Sequence, residues 1–262
     1  MRLCPLFALP KPVNKTKKVL LYPDFPSPMP NGFFEFKRFR IEQDRCSMKV
    51  GTDGVLLGAW FPMEPGMSVL DIGTGTGLIA LMAAQRGAES VVAVEIDPDA
   101  AGQAAENADS SEWSGTIKVI NADIAVFTAG SGFDRIVCNP PYFRNSLRSP
   151  DTGRNTARHN DSLSYETLAR SSVRLLAPDG LLCVVLPYDA VDMFTKCAVM
   201  EGFYLCRRTD VVTVTGRPPK RSLLAFGKKC RTLQTDLLSI CGPAGKETPE
   251  YINLVNNFYL NF

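Results

Sequence analysis

The run Ser68-Val69-Leu70-Asp71-Ile72 breaks into Gly73-Thr74-Gly75-Thr76-Gly77 and resumes as Leu78-Ile79-Ala80-Leu81-Met82. A short apolar strand, a glycine-rich turn and the opening of an apolar helix form one β-turn-α unit, which implies a parallel sheet with helices on its faces. The Gly-x-Gly-x-Gly spacing differs from the Gly-x-Gly-x-x-Gly of a nicotinamide site. No Lys-Ser/Thr follows to make a phosphate-binding P-loop. Glycines at Gly73, Gly75 and Gly77 permit positive φ and close backbone approach, so a flat and mostly uncharged ligand can lie across the carboxyl end of the strand. Asp71, just before the turn, can cap its backbone N–H groups.

Further strands repeat the theme. Val91-Val92-Ala93-Val94 ends in Glu95, whose carboxylate is suited to accept both ribose hydroxyls of a nucleoside. Ile117-Lys118-Val119-Ile120 leads to Asn121-Ala122-Asp123, where Asp123 can take an adenine amine. The apolar run 133–138 is followed by Asn139-Pro140-Pro141-Tyr142. A planar amine conjugated to a ring or carbonyl is a poor nucleophile because its lone pair is delocalised. The Asn139 side-chain oxygen and the Pro140 carbonyl can each accept one N–H, which localises that lone pair, and Tyr142 offers a flat face for a base. This pattern reads as an amine-methylation site. An ordinary strand-ending turn is the competing reading, since Asn-Pro and Pro-Pro are common breakers.

With these motifs in this order, the chain resembles the class I S-adenosylmethionine-dependent methyltransferases that carry Asn-Pro-Pro-Tyr. A narrower resemblance rests on Phe36-Lys37-Arg38-Phe39, on Met48-Lys49-Val50-Gly51-Thr52-Asp53-Gly54-Val55-Leu56-Leu57-Gly58-Ala59-Trp60, on Asn139 to Phe143 and on Thr156-Ala157-Arg158-His159. These stretches are similar to the bacterial valine-tRNA adenine-N6 methyltransferases, and the likeness runs from Met29 to the C-terminus. It implies an α/β Rossmann-like three-layer sandwich, with a mostly parallel seven-stranded sheet closed by an antiparallel hairpin. The cofactor it implies is S-adenosylmethionine, and the partner is tRNA, methylated on the adenine 3′ of the anticodon. By resemblance Asp71 orders the glycine turn beneath the methionine end of the cofactor. Thr52 and Asp53 hold the methionine carboxylate or ammonium, although they also read as the N-cap of the helix at 52–60.

Apolar residues make up 45% of the 262 and charged residues 21%, the composition of a soluble globular protein, and no run approaches the roughly 18 apolar residues of a membrane span. The formal charge of +2 does not announce a nucleic-acid binder, but its distribution is uneven. Arg144, Arg148, Arg154 and Arg158 meet only Asp151 within 144–160, and Arg217, Lys220, Arg221, Lys228, Lys229 and Arg231 meet no acid between 217 and 231. Beside the Asn139 turn such clusters favour phosphate contacts over solvated loops, and Arg144, Arg158 and His159 are candidate substrate-binding residues. The eight cysteines show no Cys-x-x-Cys, and there is a single histidine, so we expect reduced thiols in a cytoplasmic protein without a metal site.

Residues 1–28 are proline-rich and without periodicity, and are expected to be a disordered arm or an upstream start, leaving 29–262 as one methyltransferase domain. Three other functions share parts of the pattern. A glutamine N5-methyltransferase acting on a release factor uses the same Asn-Pro-Pro-Tyr logic but carries a helical domain ahead of the glycine turn, which residues before 52 do not resemble. A non-catalytic RNA-binding module is opposed by the intact Asp71, Glu95, Asp123 and Asn139. A DNA adenine methyltransferase would need a target-recognition insertion larger than any loop here.

Overall fold

The computed structural model describes residues 32–141 and 163–262. A two-stranded antiparallel hairpin, β1 (Phe33–Glu35) and β2 (Arg40–Glu42), precedes helix α1 (Thr52–Trp60). Alternation then follows: β3 (Ser68–Ile72), α2 (Leu78–Gln85), β4 (Ser90–Glu95), α3 (Pro98–Asp109), β5 (Ile117–Asn121) and β6 (Phe133–Cys138). After these come α4 (Tyr165–Leu175), β7 (Leu176–Pro187), α5 (Val191–Met200), β8 (Tyr204–Val214), β9 (Arg221–Gly227), β10 (Gln234–Cys241) and α6 (Pro249–Val255). The strands from β3 onward form one sheet in the order β10-β8-β9-β7-β6-β3-β4-β5. Only the β7–β9 and β9–β8 pairs are antiparallel.

Seven of these strands, β3 to β9, are those expected, and β8 with β9 makes the closing hairpin. The addition is β10, which extends the sheet parallel to β8. Its first four residues are exposed, so the apolar pattern that would have marked a strand is confined to Leu238, Ile240 and Cys241. A hydrogen-bond network that runs from the surface inward fastens it: Asp236 accepts from Thr209 at 2.8 Å and from Arg207 at 3.1 Å, while the buried Trp60 indole donates to Thr209 at 2.8 Å.

Strand alternation sorts the side chains into two cores. Val69, Val137, Cys183, Leu223 and Ala225 pack with α1 and α2 on one face, and Leu70, Ile136, Leu182, Leu224 and Phe226 with α4 and α5 on the other. Strands buried on both faces read as continuous apolar runs, which is why β3, β4 and β6 are legible in sequence. Local signals fix several helix starts. Asp97 accepts from Asp99 N at 2.9 Å and Ala100 N at 3.1 Å, with Pro98 in the first turn of α3, and Ser164 accepts from Thr167 N at 3.1 Å to open α4. In a parallel sheet of this order, the carboxyl ends of β5, β4, β3 and β6 lie side by side along one edge. That edge carries the residues singled out above.

Candidate active site

Register brings the motifs into one row. Ile72 is opposite Val94 on β4 and Cys138 on β6, and Glu95 is opposite Asn121 on β5. The glycine turn, Glu95 and Asn139 therefore emerge from adjacent strands at the same level of the sheet.

The turn itself is left-handed at each glycine, with φ of 67° at Gly73, 55° at Gly75 and 82° at Gly77. An ideal Cβ at Gly73 or Gly75 would meet nothing within 4 Å. These two glycines thus form an open cradle into which backbone, and no side chain, projects. A Cβ at Gly77 would sit in ordinary contact, 3.5 Å from Ala104 of α3, so the positive φ is what calls for glycine there. The amides of Gly73 and Thr74 donate to the Val94 carbonyl at 2.8 and 3.2 Å, so the turn is fastened to β4.

Glu95 is nearly buried, and its carboxylate accepts from Gly75 N at 2.9 Å through Oε2 and from Asp97 N at 3.1 Å through Oε1. Each carboxylate oxygen can accept more than one hydrogen bond, so the group can brace the turn and still receive ribose hydroxyls. Asp71 lies fully buried one layer below, where Oδ2 accepts from the Thr74 hydroxyl at 2.5 Å and Oδ1 has no hydrogen-bond partner. The cap thus runs through the threonine side chain rather than the backbone amides the sequence suggests. Burial, reinforced by the Glu95 charge, pushes the Asp71 carboxyl up to about 7 despite the Thr74 hydroxyl and the nearby Ala80 amide dipole. Asp123 is exposed and accepts from Ala125 N at 2.8 Å, in the turn that follows β5.

Asn139 is half-buried at the end of β6, and its Nδ2 faces the Met48 sulfur at 3.8 Å. Pro140 behind it is buried. Helix α1 passes directly over this turn, since a Cβ on Gly54 would sit 3.0 Å from Leu78 and 3.9 Å from the Asn139 amide nitrogen. The N-cap of α1 is Gly51, with no side-chain cap, so neither Thr52 nor Asp53 caps the helix. Asp53 instead forms an ion pair with Arg221, which opens β9 opposite Pro187 of β7. Burial lowers the Arg221 pKa, but a guanidinium stays protonated. Tyr142, Arg144, Arg158 and His159 lie outside the described residues.

Several neighbours of these residues carry no sequence signal. Asn107, buried in α3, donates through Nδ2 to the carbonyls of Thr76 and Glu42, both at 2.8 Å, and accepts from Glu42 N at 2.9 Å. One side chain thereby ties the glycine turn to the amino-terminal hairpin. The loop after β2 then runs past Glu95: burial and the Glu95 and Asp97 charges push the Cys46 thiol up to about 11. Arg221 meets Asp53 across 168 residues of sequence, beyond the reach of any local pattern. Among the described residues no group of three His, Cys, Asp or Glu side chains is placed to hold a metal ion.

The methyltransferase small domain model matches residues 47–200. A curated relative from Bacteroides fragilis, named tRNA1(Val) (adenine(37)-N6)-methyltransferase, is 48% identical over 88% of this chain and 99% of its own. The chain belongs to this methyltransferase family. Relatives of the same name from Tolumonas auensis and Trichodesmium erythraeum are 44% and 43% identical, each over 87% of this chain and 96% and 98% of their own. Among solved structures, a protein of Agrobacterium tumefaciens described as a predicted O-methyltransferase superposes with a TM-score of 0.60 at 19% identity, over 79% of this chain and 96% of that one. A glycopeptide N-methyltransferase complexed with S-adenosyl-L-methionine gives 0.52 at 14%, over 70% and 90%. At those identities the likeness concerns the fold, which is that of a class I methyltransferase. No helix of this methyltransferase among the described residues is long and apolar enough to cross a membrane.

Proposed function

We propose that the protein methylates N6 of an adenine in tRNA, adenine 37 of valine tRNA by the name its relatives carry, using S-adenosylmethionine in the cytoplasm. The observation that carries this reading is the placement of Asn139 at the end of β6, one strand from the glycine cradle at the end of β3. An acceptor nitrogen held at the first meets a ligand held at the second.

The cradle fits the cofactor. Positive-φ glycines with open space above them receive a ligand against bare backbone, and Glu95 supplies a carboxylate at the adjoining strand end for ribose hydroxyls. Asp71 with Thr74 sets the shape of the turn from below, Asp123 stands at the β5 end for the adenine amine, and Thr52 and Asp53 at the start of α1 are assigned to the methionine carboxylate or ammonium. The cofactor supplies an electrophilic methyl on a sulfonium. The protein's part is to prepare the nucleophile.

Asn139 Oδ1 and the Pro140 carbonyl accept the two N–H bonds of the adenine amine, which draws the nitrogen out of conjugation and aims its lone pair. The contact of Nδ2 with Met48 keeps the oxygen on the other side of the amide. Proline locks φ, so the carbonyl of Pro140 holds its direction. Tyr142 is assigned to stack on the base, and Arg144, Arg158 and His159 to contact the RNA around it. No strong base is needed, because the amine becomes acidic once alkylated. The adenine must leave its stack, which is least costly in a loop. Residues 29–262 form the catalytic unit in this reading.

The test is mass spectrometry of nucleosides from tRNA incubated with enzyme and isotopically labelled cofactor. N6-methyladenosine carrying the label is the expected product. Label in protein glutamine, or in no nucleoside, would overturn the assignment.

A further inference from the structure

Six basic residues and no acid lie between positions 217 and 231, and the fold divides them into two groups. β9 runs antiparallel to β7, with Arg221 opposite Pro187 at the carboxyl edge and Gly227 opposite Leu181 at the other, so its ends lie about 20 Å apart. Lys228, Lys229 and Arg231 belong to the far edge. There Lys228 donates to the Leu176 carbonyl at 2.6 Å, and Lys229 and Arg231 meet Asp179 at 2.6 and 3.9 Å. Arg217 and Lys220 stand exposed at the edge that carries Asn139.

Resting on the activity above, we propose that Tyr188, Arg217 and Lys220 form a tRNA contact surface that receives nucleotides flanking the target adenine. Cys138 is opposite Val184, so Asn139 is level with Val185, and Tyr188, which opens the 3-10 turn directly after β7, lies three residues beyond that level, on the order of 10 Å away. The Arg208 guanidinium lies over the Tyr188 ring, 5.2 Å from its centroid, while Asp210 holds Arg208 from the side at 2.8 Å. The tyrosine nevertheless remains 42% exposed. A ring fixed by a cation and open to solvent is a stacking platform for a base.

The two cations are presented on fixed backbone. Lys220 N donates to the Val211 carbonyl at 2.9 Å, and the Lys220 carbonyl accepts from Tyr188 N at 3.1 Å, which couples the platform to the charge. Arg217 N donates to Val214 at 3.0 Å in a turn whose Gly216 has φ of 82°, and Thr215 N is tied to Cys241 at 2.9 Å. Neither cation has an acidic partner among the described residues. Of the acids nearby, Asp210 is engaged by Arg208 and by the Ser222 hydroxyl at 2.6 Å. Asp189 bears on Tyr165 at the start of α4, and Asp192 is exposed in the first turn of α5. Two exposed cations beside an aromatic face match a phosphate backbone with an unstacked base, the composition of an RNA loop.

The experiment uses the full chain and total tRNA, with binding followed against salt and methylation followed against tRNA concentration. Replacing Arg217→Gln and Lys220→Gln together is expected to flatten the log–log salt slope by somewhat under two units and to raise KM for tRNA. Tyr188→Ala is expected to weaken tRNA binding on the order of tenfold, with Tyr188→Phe close to wild type, because the ring and not the hydroxyl does the stacking. S-adenosylmethionine affinity by calorimetry stays unchanged in each. Lys229→Gln with Arg231→Gln, at the far edge, serves as the matched charge control and leaves the slope as in the wild type. Unchanged slope and KM in the Arg217/Lys220 variant, or an equal loss in the far-edge control, overturns this surface while leaving the activity standing. A wild-type protein that neither binds nor methylates tRNA overturns the activity and the surface with it.

Discussion

Replacing Asp71→Asn should flatten the dependence of folding stability on pH. The Asp71 carboxyl is fully buried, one oxygen is held by the Thr74 hydroxyl and the other has no partner, and its pKa is raised from 3.8 to about 7. Between those values the unfolded chain has released the proton while the folded chain keeps it, so the folded state binds more protons and stability falls as pH rises. The contribution is complete below the unfolded value and is lost as pH rises through the folded one. A separation of about 3 pH units at about 1.4 kcal/mol each bounds it near 4 kcal/mol, of which roughly 2–3 kcal/mol disappears between pH 5 and pH 8. Asparagine keeps the shape and an acceptor for Thr74 but does not titrate. Urea unfolding at pH 5, 6, 7 and 8 should therefore give a wild-type stability that declines by that amount relative to the variant. Parallel curves for the two proteins would refute the reasoning, because they would mean that Asp71 is already ionised in the folded protein at pH 5.

Asn139→Ala should lower turnover by orders of magnitude with cofactor affinity within a few fold, measured by single-turnover kinetics and calorimetry; a comparable loss of cofactor binding would remove Asn139 from the amine-gripping role. Glu95→Ala takes away the carboxylate that braces Gly75 and is proposed to hold ribose, so calorimetry should show S-adenosylmethionine binding weaker by roughly 2–4 kcal/mol. An unchanged dissociation constant would leave Glu95 as a brace only. A chain beginning at Met29 should match the full chain in melting temperature, cofactor binding and tRNA methylation, since residues 1–28 lack a pattern able to bury a core face; a lower melting temperature or weaker tRNA binding would make that segment part of the working protein.

The elements that could be read from sequence are those whose signal is local. β3, β6 and α1 have the limits expected because a strand buried on both faces must be apolar throughout, and because glycine and proline punctuate the chain where backbone geometry changes. The placement of the motif residues at strand ends was legible for a related reason. In a parallel sheet the end of every strand faces the same edge, so the glycine turn, Glu95 and Asp123 follow one another along β3, β4 and β5, whereas the crossover that sets Asn139 of β6 beside β3 on the other side is a matter of topology. Tertiary structure alone decided the contacts that reach across the chain. Arg221 pairs with Asp53, Asn107 fastens the glycine turn to the hairpin, and β10 joins the sheet through Asp236, each by partners with no fixed spacing in sequence. It also divided the basic run 217–231, because a strand carries the two ends of one charge cluster to opposite edges of the sheet. Periodicity and motif describe what lies within a few residues, whereas long-range hydrogen bonds and ion pairs depend on which surfaces the packed layers bring face to face.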